Sequence, residues 1–222
     1  MGLINRIFSM DNVYSTEARW KQSTSSDGDQ QVTASFSRVG CCSSMVAVWI
    51  KKSIATDGRG LSSATELGTV HLMGVVQSAY VNKTLFNSKK QDYGSGLIYL
   101  LQSQNLITQE RMIGHGHFNP EIVVNWVLSK PGHYILLFFN EKGSHSVYNG
   151  HAIGFRHEGN HMEMFEPNRG LFSYSDQSIF LLQLELRVAR VLHKLMGGPW
   201  YLHRVVSDTE PASLSGEQSQ FS

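Results

Sequence analysis

The two cysteines of the chain are adjacent, at positions 41 and 42 in the stretch GCCSSMVAVW, and an apolar run follows them. That run predicts a buried helix over 42–52. The free N–H groups and the dipole at a helix N-terminus favour an anion, and the thiolate is the nucleophilic form of cysteine. One of the two is therefore a candidate nucleophile. The alternative is that both are small core residues.

The cysteine count also bears on the redox state. Two cysteines do not make a disulfide framework, and a bond between neighbours would close a strained ring. We therefore expect Cys41 and Cys42 to be free thiols in a reducing compartment.

A cysteine nucleophile needs a base, and the base needs a group that orients it. The stretch GHAIGFRHEGNHMEMFEPNRG contains two strand-like runs around a central HEGN. If HEGN forms the loop of a hairpin, Arg156 faces His161, and the same register places His151 opposite Glu166. A carboxylate there would hold the imidazole in one tautomer and stabilise the imidazolium. The alternative is that every histidine in this region lies on the surface or is a satisfied core residue.

Residues 157–161 also match H-E-x-x-H, the signature of zinc metalloproteases. That motif requires a helix, which places both histidines on one face. Gly159 and Asn160 at its centre disfavour a helix and favour a turn, and the flanking residues alternate with period two. We therefore expect neither a metal nor a cofactor, and the zinc enzyme is kept as an alternative of a different class.

The elements that must position these residues fall into two groups. Helices are predicted first, at 42–52, 64–85, 92–105 and from Asn119-Pro120 to Pro131. Short strands joined by Gly/Asn turns follow at 134–139, 151–156, 161–166 and 171–174, then a helix at 177–195 and a strand at 200–206. Helices followed by antiparallel strands indicate an α+β fold.

Composition and length predict one folded domain. The chain has 222 residues, 41% hydrophobic and 17% charged, which is enough apolar surface for a packed core. Residues 11–38 are rich in polar residues, so 1–38 are expected to be a mobile leader, 39–206 a single folded domain, and 207–222 a disordered tail. A formal net charge of +1 gives no indication of nucleic-acid binding. No run approaches the roughly 20 apolar residues of a membrane span.

Two blocks of the sequence resemble a known family. GCCSSMVAVW resembles the G-x-C-x-x-L-x-x-x-W nucleophile motif of the YopT/AvrPphB cysteine proteases, papain-like effectors that bacteria inject into host cells. In that register Cys42 is the nucleophile, Cys41 a variable position and Trp49 the tryptophan. The HAI that starts at His151 resembles the family's H-A-I/V strand, and the EPNRG that starts at Glu166 resembles its D-P-N-x-G segment.

The sequence departs from the family pattern in two places. Glu166 stands where the family has Asp, and Met45 stands where Leu is usual, a tolerable exchange in a core. The family also uses a polar side chain ahead of the cysteine to bind the oxyanion. Ser37 and Gln31 are the candidates for that role.

The resemblance implies an α+β papain-like domain with a Cys42–His151–Glu166 triad. Cys42 attacks a carbonyl carbon, His151 shuttles the proton, Glu166 orients His151, and the Cys42 backbone N–H contributes to the oxyanion hole. With water as acceptor the enzyme is a protease; a glutamine deamidase and a fatty acyltransferase can use the same triad. The resemblance favours a protease, secreted by a bacterium and acting on a host protein in the host cytosol. A non-catalytic binding module on the same fold is the remaining alternative.

Overall fold

The computed structural model of the chain describes residues 4–10, 42–68, 76, 93–116, 118–139, 150–192 and 197–209. The described helices are α1 (Cys42–Ile54), α2 (Tyr93–Gln102), α3 (Pro120–Ser129) and α4 (Gln177–Leu192), with a 3-10 turn at Ala64–Leu67. The described strands are β1 (Asn5–Ser9), β2 (Leu106–Gly116), β3 (Gly132–Phe139), β4 (Gly150–Glu158), β5 (His161–Glu166), β6 (Gly170–Tyr174) and β7 (Gly197–Ser207).

All seven strands form one antiparallel sheet in the order β1-β6-β5-β4-β3-β7-β2. The centre of the sheet, β3 to β6, is a meander of strands that are consecutive in the chain. The expected α+β class is confirmed. None of the helices in the described part of the chain is both long and apolar enough to cross a bilayer.

Two strands were not predicted from the sequence, and both lie at the edges of the sheet. β2 has weak alternation because its inward positions include Thr108 and Glu110, and its pairing with β7 is interrupted by register shifts. β1 is short, and Phe8 is its one fully buried residue. The expected division into N-terminal helices and a C-terminal sheet is therefore wrong for these two strands.

The predicted leader needs a correction at its beginning. Residues 5–9 form β1 and pair with β6, so this part of 1–38 belongs to the folded sheet. A strand of this length at an edge has too few apolar positions to be recognised from alternation. Residues 11–41 lie outside the described residues, as do 210–222 of the predicted tail and most of the predicted 64–85 helix.

The sheet separates two hydrophobic cores. Strand alternation turns Ala152 and Gly154 of β4 towards α1 and α2, and Ile153 and Phe155 towards α3 and α4. α3 begins as its sequence predicts, since the Asn119 side chain accepts hydrogen bonds from the first free backbone N–H groups of the helix. The candidate site is built where α1 meets the meander.

A glycine allows α1 to approach the sheet closely. Trp49 is fully buried, stacks on Phe165 of β5 with ring centroids 5.5 Å apart, and covers Gly154. A Cβ atom at Gly154 would lie 2.7 Å from the Trp49 ring and 3.0 Å from the Val46 side chain, closer than real Cβ contacts. The position therefore requires glycine because of space.

The helix runs along β4, and this alignment decides what its first residue meets. Trp49 contacts Gly154. Ser53, near the end of the helix, forms a hydrogen bond with His133 of β3. His133 pairs with Arg156 of β4, two residues beyond Gly154. From Trp49 back to Cys42 the helix rises about 10 Å. From Gly154 back to the start of the HAI run, β4 also rises about 10 Å. The helix N-terminus is thus brought to the beginning of β4.

We predict that Gly154→Ala lowers the free energy of unfolding by about 1–3 kcal/mol, the usual cost of overpacking a core. The measurement is urea denaturation. The same substitution in a Trp49→Leu background should cost much less, because the ring that meets the new methyl group is gone. An equal cost in both backgrounds would show that the close approach of α1 is not what requires glycine here.

Candidate active site

Cys42 is the first residue of α1, and its thiol is free and half-buried. At this position the backbone N–H groups of the first helical turn have no partner within the helix, so they favour negative charge beside them. The predicted helix start at Cys42 is confirmed. Cys41, Ser37 and Gln31 lie outside the described residues, and the choice between the two cysteines rests on the predicted register.

His151 and Glu166 are in direct contact. His151 Nε2 lies 3.0 Å from Glu166 Oε1, and the residues are 6% and 0% exposed. The predicted pairing of an imidazole with a carboxylate is therefore confirmed, and the contact is almost fully removed from solvent.

The hairpin that brings them together has a different register from the predicted one. The loop is Gly159-Asn160 alone, and Glu158 pairs with His161. Gly159 has φ of +58°, as the first position of a tight two-residue hairpin turn can require. The register is shifted by two residues, so His151 is diagonal to Glu166 and not opposite it. Because side chains alternate with period two, this shift leaves both on the same face.

The EPNRG segment forms the turn that holds the carboxylate. The backbone N–H of Arg169 donates to the carbonyl of Glu166 at 2.8 Å, and the N–H of Asn168 donates to Glu166 Oε1 at 2.9 Å. Gly170 has φ of +126°, and an added Cβ would lie 2.0 Å from the Phe8 carbonyl of β1. The glycine is thus required by both its conformation and its neighbour.

The charge on His151 follows from its two neighbours. Burial alone lowers the pKa of His151, but interaction with the Cys42 sulfur and the hydrogen-bonded Glu166 carboxylate raises the pKa to about 10. His151 therefore carries a proton at neutral pH. The three side chains form a chain of contacts from thiol to imidazole to carboxylate.

The Glu166 carboxylate stays ionised although it is buried. Burial raises its pKa, but the hydrogen bond and charge of His151, the Asn168 N–H and the positive charge of Arg187 lower it further, and the net shift is downward. Arg169 adds an ion pair, with Nε 3.8 Å from Glu166 Oε2.

Two other histidines of the sheet, the partly buried His133 and the buried His203, behave in the opposite way. Burial and the nearby Arg156 lower the pKa of His133 to about 4, and burial and Arg111 lower that of His203 to about 4. Both are therefore neutral at pH 7, as expected for satisfied or enclosed core residues. His151 differs because it has a carboxylate and a thiol as partners.

The H-E-x-x-H residues do not form the helix that a zinc enzyme needs. They end β4, turn, and begin β5. His157 pairs with Met162 and His161 with Glu158, and since adjacent pairs alternate, the two imidazoles lie on opposite faces of the sheet. His161 instead contacts Glu163 at 2.9 Å. The turn chemistry of Gly159 and Asn160 predicted this outcome.

Glu163 is not positioned to orient His151. Glu163 lies three residues before Glu166 on β5, and because strand side chains alternate, it points to the opposite face of the sheet. There its Oε1 lies 3.4 Å from Nη1 of the buried Arg156. Sequence reasoning missed this ion pair, the role of Gly154 and the charge of Arg187. A helix stripe of Phe180, Leu184 and Arg187 was the available signal for the last of these.

Comparison with solved structures identifies the fold. The crystal structure of the Pseudomonas avirulence protein AvrPphB matches with a TM-score of 0.56 and 16% identity, over 75% of this chain and 92% of that chain. The ubiquitin-specific protease encoded by murine cytomegalovirus tegument protein M48, in complex with a ubiquitin-based suicide substrate, gives 0.45 and 12%, over 78% and 80%. PatoxP, a cysteine protease-like domain of the Photorhabdus asymbiotica toxin PaTox, gives 0.42 and 9%, over 87% and 59%.

These matches bear on fold and not on activity. At 16% identity the likeness to AvrPphB is one of architecture, and it confirms the expected papain-like α+β fold and fits the family that the motifs resemble. No family model matches the chain, and no curated protein matches it.

We predict that the imidazole of His151 titrates near pH 10, because the thiolate and carboxylate raise its pKa to about 10. The imidazolium is then present throughout the neutral range and is lost as pH rises through that value. Nitrogen NMR of labelled histidine measures the midpoint, and Glu166→Gln and Cys42→Ala should each lower it. His133 and His203 serve as internal comparisons, since burial and a nearby arginine lower the pKa of each to about 4. A wild-type midpoint at the ordinary histidine value would contradict this electrostatic arrangement.

Proposed function

We propose that this protein is a cysteine protease that uses Cys42 as nucleophile, His151 as proton shuttle and Glu166 as the residue that orients His151. The observation that carries the proposal is the buried contact between His151 and Glu166 at 3.0 Å, next to a free thiol at a helix N-terminus. Nucleophile, base and orienting acid in contact are the arrangement that covalent acyl transfer requires.

The first half of the reaction forms a thioester. The Cys42 thiolate attacks the carbonyl carbon of the peptide bond, a C–S bond forms, and the carbonyl oxygen takes the negative charge. The backbone N–H of Cys42, at the positive end of α1, stabilises that oxyanion. When the intermediate collapses, the C–N bond breaks and the imidazolium of His151 gives its proton to the leaving amine.

The second half releases the acyl group. Neutral His151 takes a proton from water, the resulting hydroxide adds to the thioester carbon, and the C–S bond breaks to regenerate the thiolate. Glu166 stabilises the imidazolium that forms in this step and holds the ring in one orientation. At the end of the cycle Cys42 is again a thiolate and His151 is again an imidazolium.

The acyl donor and the acceptor together decide whether the reaction is proteolysis. With water as acceptor and a peptide bond as donor, the thioester is hydrolysed; a glutamine side chain as donor gives deamidation, and a lysine acceptor with a fatty acyl donor gives acyl transfer. The motif resemblance supports proteolysis of a host protein by a bacterial effector in the host cytosol. Mass spectrometry of products from a host-cell lysate distinguishes the three reactions, since cleavage, a one-dalton gain and acylation differ in mass.

We predict that iodoacetamide modifies Cys42 at about pH 6 faster than it modifies a free cysteine, because the thiolate is paired with an imidazolium. The rate should be lost in Cys42→Ala and should fall in His151→Ala. Cys41→Ala and His157→Ala are the matched controls and should keep it.

Three results, from alkylation, metal analysis and activity measurements, would change the proposal. A pH profile like that of an ordinary thiol supports the non-catalytic binding module. Stoichiometric zinc by elemental analysis, together with loss of activity in His157→Ala and His161→Ala, supports the metalloprotease. If Cys41→Ala alone abolishes the reaction in a folded protein, the predicted nucleophile is the wrong cysteine.

We predict a graded response at Glu166. Glu166→Gln keeps the shape but loses the charge, so turnover should fall by about 100-fold or more, the scale of a general acid–base contribution, with a smaller change in KM. Glu166→Ala should be as poor. Glu166→Asp keeps the charge but shortens the reach by one methylene, so it should retain more activity than Gln. Equal turnover of Glu166→Ala and wild type would make Glu166 a bystander.

A further inference from the structure

A buried arginine of α4 lies over the sheet beside the candidate acid. Arg187 is 7% exposed, and its guanidinium carbon lies 4.0 Å from the centre of the Phe172 ring. A cation over an aromatic face is attracted by the ring, and more strongly where water is excluded. Phe172 therefore acts as a platform that fixes where the charge of Arg187 lies.

The register of β5 and β6 places that platform next to Glu166. Glu166 pairs with Gly170, and Met164 pairs with Phe172. Alternate residues share a face, so Phe172 is the diagonal neighbour of Glu166 on the same side of the sheet. The Arg187 guanidinium, which lies over Phe172, is thus on the same face of the sheet as the Glu166 side chain, next to its diagonal neighbour.

Packing does not account for an arginine at this position. The buried stripe of α4 consists of Phe180, Leu184 and Arg187, at the spacing of one helix face, and a third apolar residue would complete it. Within the described part of the chain, Nε and Nη1 of Arg187 are buried without a hydrogen-bond partner. An enclosed cation in this state is costly unless an opposite charge is near it.

The opposite charge is Glu166. Its Oε2 is likewise buried without a hydrogen bond among the described residues, while Oε1 is used by His151 and the Asn168 N–H. The two groups do not form a direct ion pair of the kind that Arg169 makes at 3.8 Å. Arg187 therefore acts on Glu166 through space in a site from which water is excluded, where such interactions are strong.

We propose that Arg187 is a positioning residue of the active site, whose cation keeps Glu166 ionised and therefore able to hold His151. That Arg187 assists catalysis rests on the proposed function. That Arg187 lowers the pKa of Glu166 does not. Five charged or titratable groups face Glu166, Arg187 or the Phe172 ring: His151 from β4, Arg169 from the turn, Arg187 from α4, the Tyr174 hydroxyl beside Arg187, and Arg6 from β1, whose guanidinium carbon lies 5.3 Å from the centre of the Phe172 ring.

The groups around Glu166 determine whether the loss of Arg187 raises or lowers the pKa of its carboxyl group. Burial raises the pKa of Glu166, and Arg187 is among the charges that lower it again. Without that cation, burial is opposed by fewer groups, so the carboxyl group takes up a proton at a higher pH. A protonated Glu166 no longer stabilises the imidazolium of His151.

The test is a direct titration of the Glu166 carboxyl group. Protein labelled with carbon-13 at the glutamate carboxyl is titrated by NMR, and the signal is assigned by its absence in Glu166→Gln. In Arg187→Met, which keeps the apolar stem, the midpoint should rise by about one pH unit or more, the usual effect of one arginine on a neighbouring carboxylate. Arg187→Lys should restore most of the wild-type value, and Arg169→Gln, at an exposed position, should shift it less.

The outcomes separate this inference from the proposed function. An unchanged midpoint in folded Arg187→Met, or an equal shift in Arg169→Gln, overturns the role of Arg187. If Arg187→Met does not fold, as judged by thermal unfolding, Phe172→Leu removes the platform with the charge retained and should raise the midpoint by a smaller amount; no shift there also overturns it. Slow alkylation of wild-type Cys42 overturns the proposed function, whatever the carboxyl titration gives.

Discussion

The contact between His151 and Glu166 places two opposite charges where water barely reaches them. Such a pair is tolerated only if its geometry is held and its charges are compensated. The rest of the site contributes to this: a turn whose Asn168 N–H binds Oε1 of the carboxylate, a positive charge from Arg169, and the Cys42 sulfur, which together with Glu166 raises the pKa of His151. Removal of any one of these leaves a buried charge less well compensated.

The candidate nucleophile, Cys42, is brought to this pair by a separate element, α1. The helix that carries Cys42 is aligned on β4 by Trp49, which lies over Gly154, and by the bond from Ser53 to His133. Neither contact touches the reacting groups. Protein interiors transmit small displacements, and Gly154 at the centre of the sheet allows α1, which carries Cys42, to lie close against β4.

The sequence predicted these parts unequally, for physical reasons. The helix start at Cys42 and the HAI and EPNRG segments were recognisable from local spacing. The hairpin register was wrong by two residues, because the loop was expected to take four residues and Gly159-Asn160 alone make the turn. The predicted contact between His151 and Glu166 is nevertheless present, because a shift of two residues leaves a strand side chain on the same face of the sheet. The burial of Arg187 was missed because an arginine in a helix is expected at the surface, although its spacing from Phe180 and Leu184 places it on the buried face.

Edge strands were missed for a related reason. β1 and β2 pair along one side only, and their inward positions are few or polar, so alternation is weak. β1 pairs with β6 and β2 pairs with β7, strands that are distant in the sequence, and local sequence patterns do not indicate such partners. β1 is nevertheless close to the site, since the carbonyl of Phe8 lies against Gly170 at the end of the acid-bearing turn.

The order of strands also has a consequence for how reactivity arises during folding. The base and the acid belong to neighbouring strands of a sequential meander, joined by a two-residue turn, so closing that part of the chain costs little entropy. Cys42 is separated from His151 by over a hundred residues, and contacts of such separation form slowly. Until α1 docks on β4, the cysteine is an ordinary thiol without an imidazolium partner. Under the proposed function, folding itself brings the nucleophile to its base, and a chain that is only partly folded has the imidazole and carboxylate paired but no cysteine beside them.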